Sequence, residues 1–159
     1  FKVHPEFTLH VVGNADCDFI HTMGANQCAN IHFYGFLDTS SELFRGIART
    51  CSFLVYPSCT DGGVPGAVIN SMLYGIVPIV TRWAAFDEVE KLGYLLEDMT
   101  IEAVETAIDW SQSLSEREVA QLSRACQHYA QENYTLAVFK DDMIKALKEI
   151  IEANGNTIL

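Results

Sequence analysis

Short apolar runs alternate with helix-patterned segments from residue 8 to about residue 96, and no other feature of this chain restricts its fold as strongly. Thr8-Leu9-His10-Val11-Val12 reads as a strand stopped by Gly13-Asn14, and Ile31-His32-Phe33-Tyr34 as a second, ended by Gly35. Ser52-Phe53-Leu54-Val55-Tyr56 is apolar throughout and closes at Pro57, the pattern of a central parallel strand covered on both faces. Ile76-Val77-Pro78-Ile79-Val80 follows, with its proline expected near the strand start, and Tyr94-Leu95-Leu96 is a last short run. Between them lie a partial helix around Asp18 to Met23, a helix from Thr39 and a helix from about Pro65 to Tyr74. Thr39-Ser40-Ser41-Glu42 fits a capping box ahead of an apolar face of Leu43, Phe44, Ile47 and Ala48. Pro65 suits a first helical turn and Gly75 a C-terminal stop.

From Thr100 the pattern is helical only. Thr100 caps a segment with Ile101, Val104 and Ile108 on its inward face, and Ser115-Glu116-Arg117-Glu118 is a second capping box. The last helix begins at Thr135 and carries Phe139, Met143, Leu147 and Ile151 at helical spacing. Strands alternating with helices predict an α/β fold: a Rossmann-like parallel sheet with helices on both faces and a helical C-terminal segment. The expected organisation is one domain over residues 1–153 and a flexible tail over 154–159. Ligands of such sheets bind beyond the carboxyl ends of the strands, so the loops after Val12, Tyr34, Tyr56 and Val80 are the ones to read.

Composition removes several classes. Twenty-one acids stand against 10 bases for a formal charge of −11, which supplies no basic face for nucleic acid. No apolar run reaches the roughly 20 residues of a membrane span, and the reading is of a cytoplasmic protein, peripheral to a membrane at most through another domain. Phe1 in place of an initiator Met reads as a chain that starts partway through a longer protein. Five cysteines show no metal-ligand or disulfide spacing and are expected as small buried thiols. His10 and His32 lie in strand patterns, where a packed or edge histidine is the ordinary reading.

The segment that carries chemistry runs from Pro57 to Gly75: a buried strand, an acid, adjacent glycines, then a helix start. Glycines let backbone amides approach a ligand closely, and a helix N-terminus offers unpaired N–H groups in a positive dipole field. Asp61, Gly62, Gly63, Val64, Pro65 and Gly66 therefore form a candidate anion and hydroxyl site, with Asn70 further along the helix within reach of a ribose. Read physically, the same stretch also fits a plain strand-to-helix turn in which Asp61 caps the helix.

In order, these motifs resemble the large retaining GT-B glycosyltransferase family, glycosyl transferases group 1. The matching segments are Pro57-Ser58, Asp61-Gly62-Gly63, Asn70-Ser71-Met72-Leu73-Tyr74-Gly75, Val77-Pro78-Ile79-Val80-Thr81 and Ala84-Ala85-Phe86-Asp87-Glu88. Leu9 to Gly13, Ile31 to Leu37, Glu42-Leu43 and the closing Asn133-Tyr134-Thr135 with Phe139 match as well, so the resemblance spans nearly the whole chain.

The resemblance implies the C-terminal, donor-binding half of a GT-B fold. Its substrate would be a nucleotide-diphosphate sugar, linked to UDP or GDP, with no cofactor and no metal. Contacts to the base would come from Gly35, Phe36 and Leu37, and donor contacts from Asp61 to Gly66 and Asn70. The intact protein would transfer the sugar, with retention, to a glycan or lipid-linked acceptor in polysaccharide biosynthesis. Two departures qualify this. The family's two donor-binding glutamates are separated by seven residues, whereas Asp61 and Asn70 have eight between them; strict spacing would put Gly62 first. The family's first strand, the basic pair after it and the N-terminal acceptor domain with its catalytic histidine would all precede Phe1, so no catalytic residue is expected in this segment. A non-catalytic, regulatory relative of the same fold is the alternative these departures favour. An unrelated dinucleotide binder lacks its GxGxxG fingerprint after Val12.

Overall fold

The computed structural model describes residues 1–61 and 63–155, and the chain gathers into two compact units, Phe1–Thr50 and Cys51–Leu159. Parallel strands with helices on both sides run through it, as the alternation predicts.

The first unit contains β1 (Leu9–Val12), α1 (Cys17–Thr22), a 3₁₀ turn (Ala25–Gln27), β2 (Ile31–Gly35) and α2 (Glu42–Ala48). β1 and β2 pair in parallel, His10 opposite His32, with a slip in register between Val11 and Val12. His10 is half-buried; its Nδ1 lies 2.9 Å from the Tyr34 hydroxyl, and its ring stacks on His32. The Asn30 amide reaches the carbonyl oxygens of Phe1, His4 and Phe7 and ties the N-terminal segment to the start of β2. α2 begins later than its capping pattern predicts. The Asp38 carboxylate accepts from the Ser40 amide at 2.7 Å and the Asp38 carbonyl from the Ser41 amide at 2.9 Å, so a turn occupies Thr39 and Ser40. Ser41 becomes the cap, accepting from the Phe44 amide, and Glu42 pairs with Arg45 instead of closing a box.

The second unit contains β3 (Phe53–Tyr56), α3 (Gly66–Leu73), β4 (Val77–Thr81), α4 (Val89–Leu92), β5 (Tyr94–Leu96), α5 (Ile101–Ser113), α6 (Glu116–Asn133) and α7 (Leu136–Gly155). Its sheet runs β3-β4-β5, all parallel. The central strand is therefore β4, with every residue buried, whereas β3, predicted to be central, is half-buried at the outer position among the described strands. One core joins β4 to α3, α4 and α6 through Val68, Met72, Val80, Leu92, Cys126 and Ala130; a second joins Ile79 and Leu96 to Ala107 of α5. Pro78 is the second residue of β4, near the strand start as expected, and Gly93 passes so close that a Cβ there would lie 2.1 Å from the Pro78 carbonyl oxygen. α3 ends in a Schellman arrangement: Gly75 sits at φ +77° and donates to the Met72 carbonyl, while Ile76 donates to that of Ser71.

The caps at Thr100, Ser115 and Thr135 form as predicted, with both reciprocal bonds of the Ser115–Glu118 box in place. The helix faces differ in part. Ile101 is exposed because it occupies the first helical position, and Ala107 takes its place beside Ile108 and Val104. Leu136, Phe139, Met143, Ile144, Leu147, Ile150 and Ile151 of α7 are all between 44% and 68% exposed, so its apolar face is uncovered by any described residue. Cysteine burial is also narrower than expected: Cys17 and Cys59 are exposed and Cys126 alone is fully buried, its Sγ donating to the Leu92 carbonyl. Burial pushes that thiol up to about 12. The tail residues 156–159 lie outside the described residues, and the α7 backbone is helical through Gly155.

Candidate functional site

α3 starts without a side-chain cap. Its N-cap is Pro65, at φ −66° and ψ 146°, which has no side-chain oxygen to offer. Asp61 stands five residues before the first helical residue and does not cap α3, so the capping explanation for its presence fails. The Gly66 and Ala67 amides open the helix with no partner inside it, and the dipole leaves this end positive.

Asp61 is half-buried, and its Oδ2 is shielded from solvent with no hydrogen-bond partner among the described residues. A buried acceptor left unmade costs about 1–3 kcal/mol. Such an oxygen can accept from a donor such as a hydroxyl. Gly63 and Gly66 are exposed, and a Cβ at either would meet nothing within 4 Å, so the backbone there is open to approach. Val64 packs its side chain on the core below and offers only its backbone. Asn70 lies one turn after Gly66 on the same side of α3 and is half-buried. Gly62 lies outside the described residues.

The loop is anchored from below by a residue that sequence reading did not single out. Thr81, fully buried at the end of β4, donates its hydroxyl to the Ser58 carbonyl, joining the segment after β3 to the end of its neighbour. Only its position as the last residue of an apolar strand signalled it. Among the described residues, no three histidine, cysteine or carboxylate side chains gather closely enough to hold a metal ion.

Gly35 is the last residue of β2 in the first unit, and Phe36 and Leu37 follow it. Gly35 adopts φ +65° and its carbonyl accepts from the Gly13 amide at 2.8 Å, so the ends of β1 and β2 are pinned together. Phe36 projects with 79% of its surface free. The two candidate segments thus lie in different units, each at the carboxyl end of a parallel strand.

The model for the family described as glycosyl transferases group 1 matches residues 2–111. The chain belongs to this family. No curated protein matches it. Solved structures do: a glycosyltransferase from Rickettsia africae is 16% identical with a TM-score of 0.71, over 91% of this chain and 40% of that one. Anabaena Alr3699/HepE in complex with UDP is 16% identical with a TM-score of 0.63, over 91% and 42%. WaaG, a glycosyltransferase involved in lipopolysaccharide biosynthesis, is 15% identical with a TM-score of 0.62, over 78% and 34%. The fold is that of the GT-B glycosyltransferases, and the chain spans about two-fifths of the length of the first of these. No helix among the described residues is long and apolar enough to cross a membrane.

Proposed function

We propose that this chain is the donor-binding half of a glycosyltransferase and holds a nucleotide-diphosphate sugar at the loop between β3 and α3. The observation that carries the reading is the buried, unpartnered Oδ2 of Asp61 beside an uncapped helix start. A carboxylate there repels a diphosphate aimed at it, so its partner is a sugar hydroxyl, while the α3 amides take phosphate oxygens. Asn70 contributes a neutral amide toward the ribose. UDP is favoured over GDP, because a neighbour of this fold was solved with UDP and with UDP-glucose.

Transfer in the intact protein proceeds with retention and without a metal, to a glycan or lipid-linked acceptor bound by a separate N-terminal acceptor domain. No nucleophile and base are paired in the described loop: Ser58 Oγ meets only the Thr60 amide. The isolated chain therefore binds donor weakly and turns nothing over, since positioning both substrates supplies much of the rate. Calorimetric titration of the full-length protein with UDP, GDP and NAD tests this. Binding of UDP or GDP but not NAD is expected. NAD binding in preference sinks the reading, and nucleotide-sugar binding without turnover on any acceptor points to the regulatory alternative.

A further inference from the structure

Directly after the Thr81 anchor come two exposed residues that neither the family motifs nor the donor reading uses, Arg82 and Trp83. The Arg82 guanidinium carbon sits 5.7 Å from the centre of the Trp83 ring, within cation–π range. Arg82 takes part in no ion pair among the described residues, although acids outnumber bases two to one in this protein. Trp83 leaves 43% of its surface free and belongs to neither core. The loops following β3, β4 and β5 are residues 57–65, 82–88 and 97–100, and Arg82 is the one basic residue in them.

An exposed tryptophan with an arginine over its ring presents an aromatic plane and a cation at the carboxyl edge of the sheet. Arginine presents a planar fork of donors that suits phosphate oxygens, and an aromatic face fixes the plane of that fork before the ligand arrives. The Thr81–Ser58 bond places this pair next to the segment carrying Asp61 and the α3 start. We propose that Arg82 grips the diphosphate of the donor from the β4 side, opposite the α3 amides, with Trp83 holding the guanidinium in place. Asp61 and Arg82 then divide the ligand between them, the carboxylate taking the neutral sugar and the guanidinium the anion. The inference rests on the donor-site reading above and assigns that site a cation of its own.

The test is calorimetric titration of UDP and uridine into the full-length protein and its Arg82→Ala, Arg82→Lys and Trp83→Ala variants. Arg82→Ala is expected to weaken UDP roughly 10–100-fold, the weight of a charged hydrogen bond, and to leave uridine unaffected. Arg82→Lys should recover part of the loss, since it keeps the charge without the fork. Trp83→Ala should weaken UDP roughly two- to fivefold, as for an exposed cation–π contact. Wild-type binding of UDP with an unchanged affinity in Arg82→Ala overturns the role of Arg82 and leaves the donor site standing. An equal loss for uridine and UDP overturns it too, by showing that the residue shapes the site without meeting phosphate. A wild-type protein that binds no nucleoside diphosphate removes the donor site and this inference with it. The Arg82 side chain is exposed, so its variants should keep the wild-type melting temperature.

Discussion

An aspartate that supports a fold and an aspartate that waits for a ligand respond oppositely to truncation. Asp61 makes no bond through its buried Oδ2 among the described residues, so Asp61→Ala removes an unsatisfied acceptor and not a support. The melting temperature should stay level or rise, while kcat/KM of the full-length enzyme falls roughly 10–100-fold for loss of a charged hydrogen bond to the sugar. Affinity for bare UDP should barely change. Earlier melting with normal turnover would return Asp61 to a structural role and make Gly62 the better match to the family's first glutamate. Thr81 behaves in the ordinary way: its hydroxyl has one acceptor, the Ser58 carbonyl, and that bond fixes where the loop begins.

Among the elements, the packing of β5 on β4 is set by one missing side chain. Gly93→Ala would put a Cβ 2.1 Å from the Pro78 carbonyl oxygen, so backbone must move, and a loss of about 3 kcal/mol is expected in urea unfolding. Gly46→Ala is the control: a Cβ there meets nothing within 4 Å, and stability should hold or rise by about 0.5–1 kcal/mol. In the β1–β2 pair, burial and then the neighbouring His32 hold His10 below its ordinary value of 6.5. The folded form thus favours the neutral ring. The stability that His10 confers is present above pH 6.5 and is lost as the pH falls from there through the folded-state value. The groups facing it are His32 and Tyr34, both on β2. Melting of the wild type and of His10→Gln from about pH 8 to about pH 5 should show the wild type losing more. Equal losses would remove His10 as the cause.

Strand order along the chain and most helix starts were legible because period, proline and glycine are local signals. The start of α2 was not, because Thr39 and Ser41 offer equivalent hydroxyls and the choice between them was made by Asp38 turning the backbone. Nor was the outer place of β3, since apolar content reports burial and not neighbours. Asp61 and the glycines were legible as an acid and a bare helix start. Arg82 and Trp83 went unread because their partnership with the loop runs through a tertiary bond.

For the molecule as a whole, α7 poses the largest question of stability. Its apolar stripe follows the helical period, yet no described residue covers it, and periodicity alone says nothing about what does. Replacing Phe139, Leu147 and Ile151 together by Gln should therefore leave the melting temperature of this chain unchanged and reduce any self-association seen by sedimentation. A fall of about 2–5 kcal/mol for each, the cost of truncating a packed side chain, would show that the face is covered after all.

β4 sits at the other extreme. Five consecutive buried residues, a strand on either side and helices against both faces leave its amides no local route to water. In deuterium oxide the amides of Ile79, Val80 and Thr81 would exchange only when the second unit opens as a whole. Their lifetimes would then serve as a clock for global unfolding, and a ligand at the loop that Thr81 anchors would slow that clock in proportion to its own affinity.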